Sequence, residues 1–103
     1  MSLDIVILGP DSRPAEQISL GVDDHNRLMQ FASERSANLL LRLKDYYSDS
    51  EFRSEELSTL IAEAESLRSQ CKNDQAVGSF LSALVELARL AQAQEQPLLA
   101  LAD

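Results

Sequence analysis

The chain opens with Leu3-Asp4-Ile5-Val6-Ile7-Leu8, an apolar stretch rich in β-branched residues that predicts a strand. Gly9-Pro10 stops it. The run Gly9-Pro10-Asp11-Ser12-Arg13-Pro14 is turn chemistry, because Pro fixes φ while Asp and Ser bond their own backbone. A second strand fits Gln17 to Val22, with Ile18, Leu20 and Val22 on one face. Two strands about such a loop predict an antiparallel hairpin, which needs a helix or another strand packed on it.

The apolar spacing then turns helical. Asp23 or Asp24 suits an N-cap, since a carboxylate accepts bonds from first-turn amides. A helix is expected from about Asp24 to Ser33, with Leu28, Phe31 and Ala32 inward. Ser36-Ala37-Asn38 interrupts it before a second helical stretch from Ala37 to Tyr47, where Leu39, Leu40, Leu43 and Tyr47 share a side and Leu41 widens it. One bent helix and two separate ones fit this pattern equally. Tyr47 to Phe52 reads as a connecting loop.

The next two helices have the clearest periodicity. Ser54 is placed to cap a helix whose first turn, Glu55 and Glu56, complements the dipole. Leu57, Leu60, Ile61, Ala64, Leu67 and Cys71 then form one stripe. Lys72-Asn73-Asp74 breaks it, and Asp74 suits the cap of the following helix. Val77, Leu81, Leu84, Ala88 and Ala91 make that helix's stripe, flanked by Phe80 and Leu87, so the pair predicts a helical hairpin.

Pro97 ends the last helix and leaves Leu98-Leu99-Ala100-Leu101-Ala102, an apolar tail of the kind that docks somewhere. Leu98 to Ala102 is expected to join the N-terminal hairpin as a strand. The fold class is therefore α+β, a small antiparallel sheet (N-terminal hairpin plus C-terminal strand) packed against three or four helices. An all-helical bundle with a frayed tail is the competing arrangement. The length of 103 residues fits a single domain spanning 1–103.

Composition narrows the function classes. Seventeen acidic residues face nine basic ones, a formal net charge of −8. Such a surface repels phosphate backbones and anionic lipids, which argues against nucleic-acid and membrane partners. Apolar runs such as Ile5-Val6-Ile7-Leu8 and Leu39-Leu40-Leu41 are far short of a bilayer span. Met1-Ser2-Leu3-Asp4 lacks the basic start of a signal peptide, and the single Cys71 fits a reducing compartment, so a cytoplasmic location is expected.

Candidate chemistry is sparse. Asp23-Asp24-His25 contains the sole His beside two carboxylates, which would suit a metal site or a carboxylate-oriented base. Neighbouring helix residues diverge by about 100°, however, and no second His or nearby Cys completes a ligand set. Capping explains both Asp residues. Cys71 shares the apolar stripe of Leu67 and is expected in the core. Gly9, Gly21 and Gly78 are isolated, so no phosphate loop forms, and no Ser sits in a nucleophile elbow. The expectation is no catalytic residue, no cofactor, no metal and no enzyme activity.

The segment from Asp45 to Glu65 carries Asp45, Asp49, Glu51, Glu55, Glu56, Glu63 and Glu65 against the single Arg53, and Tyr46, Tyr47 and Phe52 lie within it. Rings supply anchors and charges supply steering at protein interfaces. The candidate partner-binding residues are Asp45, Tyr46, Tyr47, Asp49, Glu51, Phe52, Glu55 and Glu56. The alternative is that Tyr47 and Phe52 close the core while the carboxylates are only solvated.

The opening strand Leu3 to Leu8, the segment Phe52-Arg53-Ser54-Glu55-Glu56-Leu57 with its preceding Asp45-Tyr46-Tyr47, and the closing Pro97 to Asp103 together resemble small bacterial immunity-type proteins, which neutralise a toxin partner. That resemblance implies tight binding to one toxin, often a basic nuclease, through an acidic patch. It implies no particular sheet. The expected function is a non-enzymatic cytoplasmic protein-binding domain, an immunity-type inhibitor that occludes its partner. An acidic homodimeric secretion or assembly chaperone is the alternative.

Overall fold

A computed structural model describes residues 3–8, 14–45, 48–71 and 73–102. In chain order the elements are β1 (Leu3–Leu8), β2 (Pro14–Leu20), α1 (Val22–Glu34), a 3-10 turn (Leu40–Leu43), β3 (Ser50–Phe52), a second 3-10 turn (Ser54–Glu56), α2 (Leu57–Gln70), α3 (Gln75–Ala93) and β4 (Leu98–Ala102). The sheet is antiparallel with order β2-β1-β4-β3. The fold is α+β, and the apolar tail is the strand beside β1, which removes the all-helical alternative.

Pairing fixes which side chains share a face. Ile5 lies between Ile18 and Ala100, Leu3 between Leu20 and Ala102, and Phe52 beside Leu98. These residues face the helices and build the core with Leu57, Leu60, Ala64 and Leu67 of α2 and Val77, Leu81, Leu84 and Ala88 of α3. The helices α2 and α3 pack against each other, and α3 also lies on β2 and β1. By length and a mean hydropathy of 1.2, α3 is long and apolar enough to cross a bilayer, unlike the short runs considered above. In this fold its apolar stripe is the core.

Several boundaries differ from the sequence expectation: β2 begins at Pro14, and Ser54, expected as a helix cap, opens a 3-10 turn so that α2 starts only at Leu57. The second strand ends at Leu20, and Val22 is the first residue of α1, 48% exposed instead of sharing a face with Ile18. Gly21 occupies the N-cap without a side-chain bond, so Asp23 and Asp24 sit inside the first turn, where their charge meets the helix dipole. Nor does an α-helix form over the described part of the expected second stretch, Ala37 to Asp45, where Leu40–Leu43 is a 3-10 segment.

The reason lies at the end of α1. Ser36 adopts φ 54°, the amide of Ala37 bonds the carbonyl of Ala32 at 2.9 Å, and that of Ser36 bonds Ser33 at 3.4 Å. This pair of reversed bonds is a Schellman stop. The same device closes α3: Glu95 has φ 55°, and Gln96 bonds the Ala91 carbonyl at 2.9 Å just before Pro97. Neither stop uses Gly, the usual residue for this backbone, so neither announces itself by composition. Beyond the first stop, the Glu63 carboxylate accepts the amides of Leu39 and Leu40 at 3.0 and 3.1 Å and fixes where the turn begins.

Candidate functional site

Of the eight candidate binding residues, Tyr46 and Tyr47 lie outside the described residues. The others divide by role. Phe52 is fully buried, packed on the core through β3, with the Arg42 guanidinium 5.9 Å from its ring centroid. It is not available as a partner anchor, which corrects that assignment. The region around it is also a strand, Ser50–Phe52, where a loop was expected. The strand is only three residues long, and its partner β4 comes from the far end of the chain.

Glu56 is committed to the fold as well. Both its oxygens accept from Arg42, at 2.8 and 2.5 Å, and Oε1 also accepts the backbone amide of Arg53 at 3.0 Å. Arg42 and then the Arg53 amide hold the Glu56 carboxyl down at about 2, against an ordinary 4.5. The lowered value means that the folded chain binds fewer protons here than the unfolded chain. The stabilisation is therefore complete above about pH 4.5 and disappears as pH falls toward about 2. Urea unfolding of Glu56→Gln at pH 7, 5, 4 and 3 should show lower stability at neutral pH and a flatter acid limb than the parent. Parallel curves for the two proteins would remove Glu56 from the acid response.

Asp49 accepts the Ala102 amide at 2.8 Å and so ties the loop before β3 to the end of β4. Asp45 accepts from the Ser48 hydroxyl at 2.7 Å while remaining exposed. Glu55 is 69% exposed and only loosely paired with Arg53 at 3.6 Å. Glu51 is exposed. Farther along, Glu65 receives Arg89 at 2.9 Å. The acidic segment is thus partly structural, and its outward charge is concentrated at Asp45, Asp49, Glu51 and Glu55.

Pairing places one of these charges on a surface that sequence reasoning overlooked. Glu51 pairs with Leu99, and Leu99 with Val6, on the side of the sheet away from the helices. The adjacent row pairs Leu101 with Asp4, and Asp4 with Ser19, whose hydroxyl donates to Asp4 at 2.7 Å. Leu99 and Leu101 are half-buried and Val6 is 1% exposed. A solvated antiparallel face ordinarily alternates to polar residues. Here Val6 is buried, and the apolar surface left partly exposed is Leu99 and Leu101, with Asp4 and Glu51 beside them. The signal was present in Leu98-Leu99-Ala100-Leu101-Ala102, a strand apolar on both faces.

The Asp23-Asp24-His25 corner comes apart. Asp24 pairs with Arg27 at 2.5 Å, and Arg27 reaches on to Asp74 at 2.7 Å. Asp74 also caps α3 by accepting the Val77 amide at 3.2 Å, as its position before that helix predicted. Arg27 and then the Val77 amide hold its carboxyl below the usual range. His25 turns inward, 3% exposed, and its Nε2 donates to the Leu43 carbonyl at 2.5 Å. A carbonyl only accepts, so this bond places the proton on Nε2. Cys71 is buried, and burial pushes its thiol up, away from the nucleophilic form. Among the described residues, no three His, Cys, Asp or Glu side chains converge as a ligand set.

Compared with known proteins, the chain matches no family model, no curated protein and no solved structure.

Proposed function

We propose that the chain is a non-enzymatic protein-binding domain, an immunity-type inhibitor that covers a basic surface of its partner with the outer face of its sheet. The observation that carries this reading is the half-exposed pair Leu99 and Leu101 on the outer side of β4, beside Asp4 and Glu51 in the pairing and continued by the exposed Glu55. Its parts have separate tasks. Exposed carboxylates raise the encounter rate with a positive partner, while Leu99 and Leu101 supply desolvated contact once it has docked. Occlusion then needs no chemistry from this chain, only coverage.

The test compares the parent chain with Glu51→Lys/Glu55→Lys as tagged bait in lysate of the source cell, washed at low and high salt. A basic protein should be retained stoichiometrically by the parent at low salt, and its purified form should associate with the variant at least tenfold more slowly. Equal capture and equal association rates would remove the acidic margin from the mechanism. Retention of several unrelated, partly unfolded clients would replace inhibition by a chaperone role.

A further inference from the structure

The opposite edge of the sheet has a different construction. In the order β2-β1-β4-β3, β2 lies at the far side from β3, three strand spacings or about 14 Å away. It is seven residues long, and β1 is its one strand partner among the described residues. Long edge strands are normally blunted by Lys, by a central Pro or by cover, because their backbone otherwise templates another strand. The strand begins at Pro14 with a register shift opposite Ile7 and Leu8, but from Glu16 to Ser19 the edge has no Pro, no Lys and no such shift.

Beside this edge runs a groove of about 210 Å³ between β2 and α3. Ile18, Ala83, Leu87 and Leu90 line it together with the exposed Glu16 and Glu86. Leu90, at 37%, and Val22 are the two exposed large hydrophobic residues among those described, and Val22 lies two residues past the end of β2, at the start of α1. Neither β2 nor the groove-lining part of α3 contributes a Lys or Arg. Arg89, the nearest cation on α3, is engaged by Glu65 of α2.

We infer that β2 and this groove form a second docking surface, which takes an extended segment of another protein as an added strand. Register defines its chemistry. Ile18 and Glu16 both face the helix side, two residues and about 7 Å apart. An incoming strand presents alternate side chains to the same side, so an apolar residue meets Ile18 and Leu90 while its neighbour two positions on meets Glu16 or Glu86. The occupant is therefore an alternating strand whose inward positions are apolar and basic. A second copy of this chain is the wrong partner, because symmetrical pairing would bring Glu16 and Glu86 of two chains of charge −8 toward each other. This surface is independent of the outer sheet face and stands whether or not that face binds an inhibitor's target.

The probe is a synthetic nine-residue peptide with Lys and Ile at its inward positions and Thr between them. Its control has the same composition with the alternation scrambled. The full chain should bind the probe at least tenfold more tightly than the control, and amide exchange should slow at alternate residues within Glu16 to Ser19. Glu16→Lys/Glu86→Lys, two exposed positions, should lower affinity at least tenfold, and Leu90→Ser should lower it severalfold. The Glu51→Lys/Glu55→Lys chain should bind the probe like the parent. No binding, equal binding of probe and control, or loss of binding only in the Glu51/Glu55 variant would each overturn the assignment.

Discussion

Replacing Phe52 by Ala should cost about 3–5 kcal/mol, the range for emptying a buried aromatic site. For a domain near this size each kcal/mol is roughly 4–8 °C in Tm, so the loss is large enough to read by thermal denaturation in any buffer. The expectation rests on position. Phe52 is fully buried, is paired with Leu98, and is the inward anchor of a three-residue strand. Its removal also takes the ring from beneath Arg42, the residue that holds Glu56 and bonds the Glu51 carbonyl. Phe52→Leu, which refills most of the space, should recover most of the loss. A Tm unchanged by Phe52→Ala would mean that β3 is not held by its side chain, and Phe52 would return as a candidate anchor.

That contrast explains why the aromatic residue misled sequence reasoning. Acid-rich surroundings made Phe52 look like an interface ring, but three neighbours of alternating environment are too short to register as a strand. Ser50-Glu51-Phe52 pairs with Leu98 to Ala100, across the two helices α2 and α3, so nothing local marks it as a strand. By contrast β1, β4, α2 and α3 were legible, because each carries its own period: β-branched residues in Leu3 to Leu8, and stripes of three-and-four spacing through Leu67 and Ala88. Leu39-Leu40-Leu41-Arg42-Leu43 carried a helical composition too. There the Schellman stop at Ser36 and the Glu63 carboxylate decide the backbone, and both are invisible to periodicity.

The candidate site was legible by composition and not by geometry. Acidic residues from Asp45 to Glu56 cluster in the sequence, yet position alone did not separate Glu56, bound to Arg42, from Glu51 and Glu55, which face solvent. Pairing supplied what spacing lacked. Once Glu51 is set beside Leu99, the second apolar face of β4 becomes part of the same surface.

His25 is where a chemical reading and a structural reading predict opposite outcomes. His25→Ala should destabilise the chain by about 2–4 kcal/mol: deleting one partner of a buried hydrogen bond costs about 1–3 kcal/mol, and the emptied ring volume adds a cavity term. The bond from Nε2 to the Leu43 carbonyl joins α1 to the 3-10 turn at Leu40–Leu43, so amides of that turn should exchange faster in the variant. His25→Leu restores volume without the donor and should recover only the cavity part. Asp24→Ala, at a half-exposed pair with Arg27, should leave both stability and the turn nearly unchanged. If instead His25→Ala kept the parent's Tm and exchange pattern, the imidazole would have no structural task. It would then have to be reconsidered, with Asp24, as a base or ligand. The burial of the ring, 3% exposed, and its bond to the Leu43 carbonyl favour the first outcome, because a side chain enclosed in the core and tied to a neighbouring turn is out of reach of a substrate.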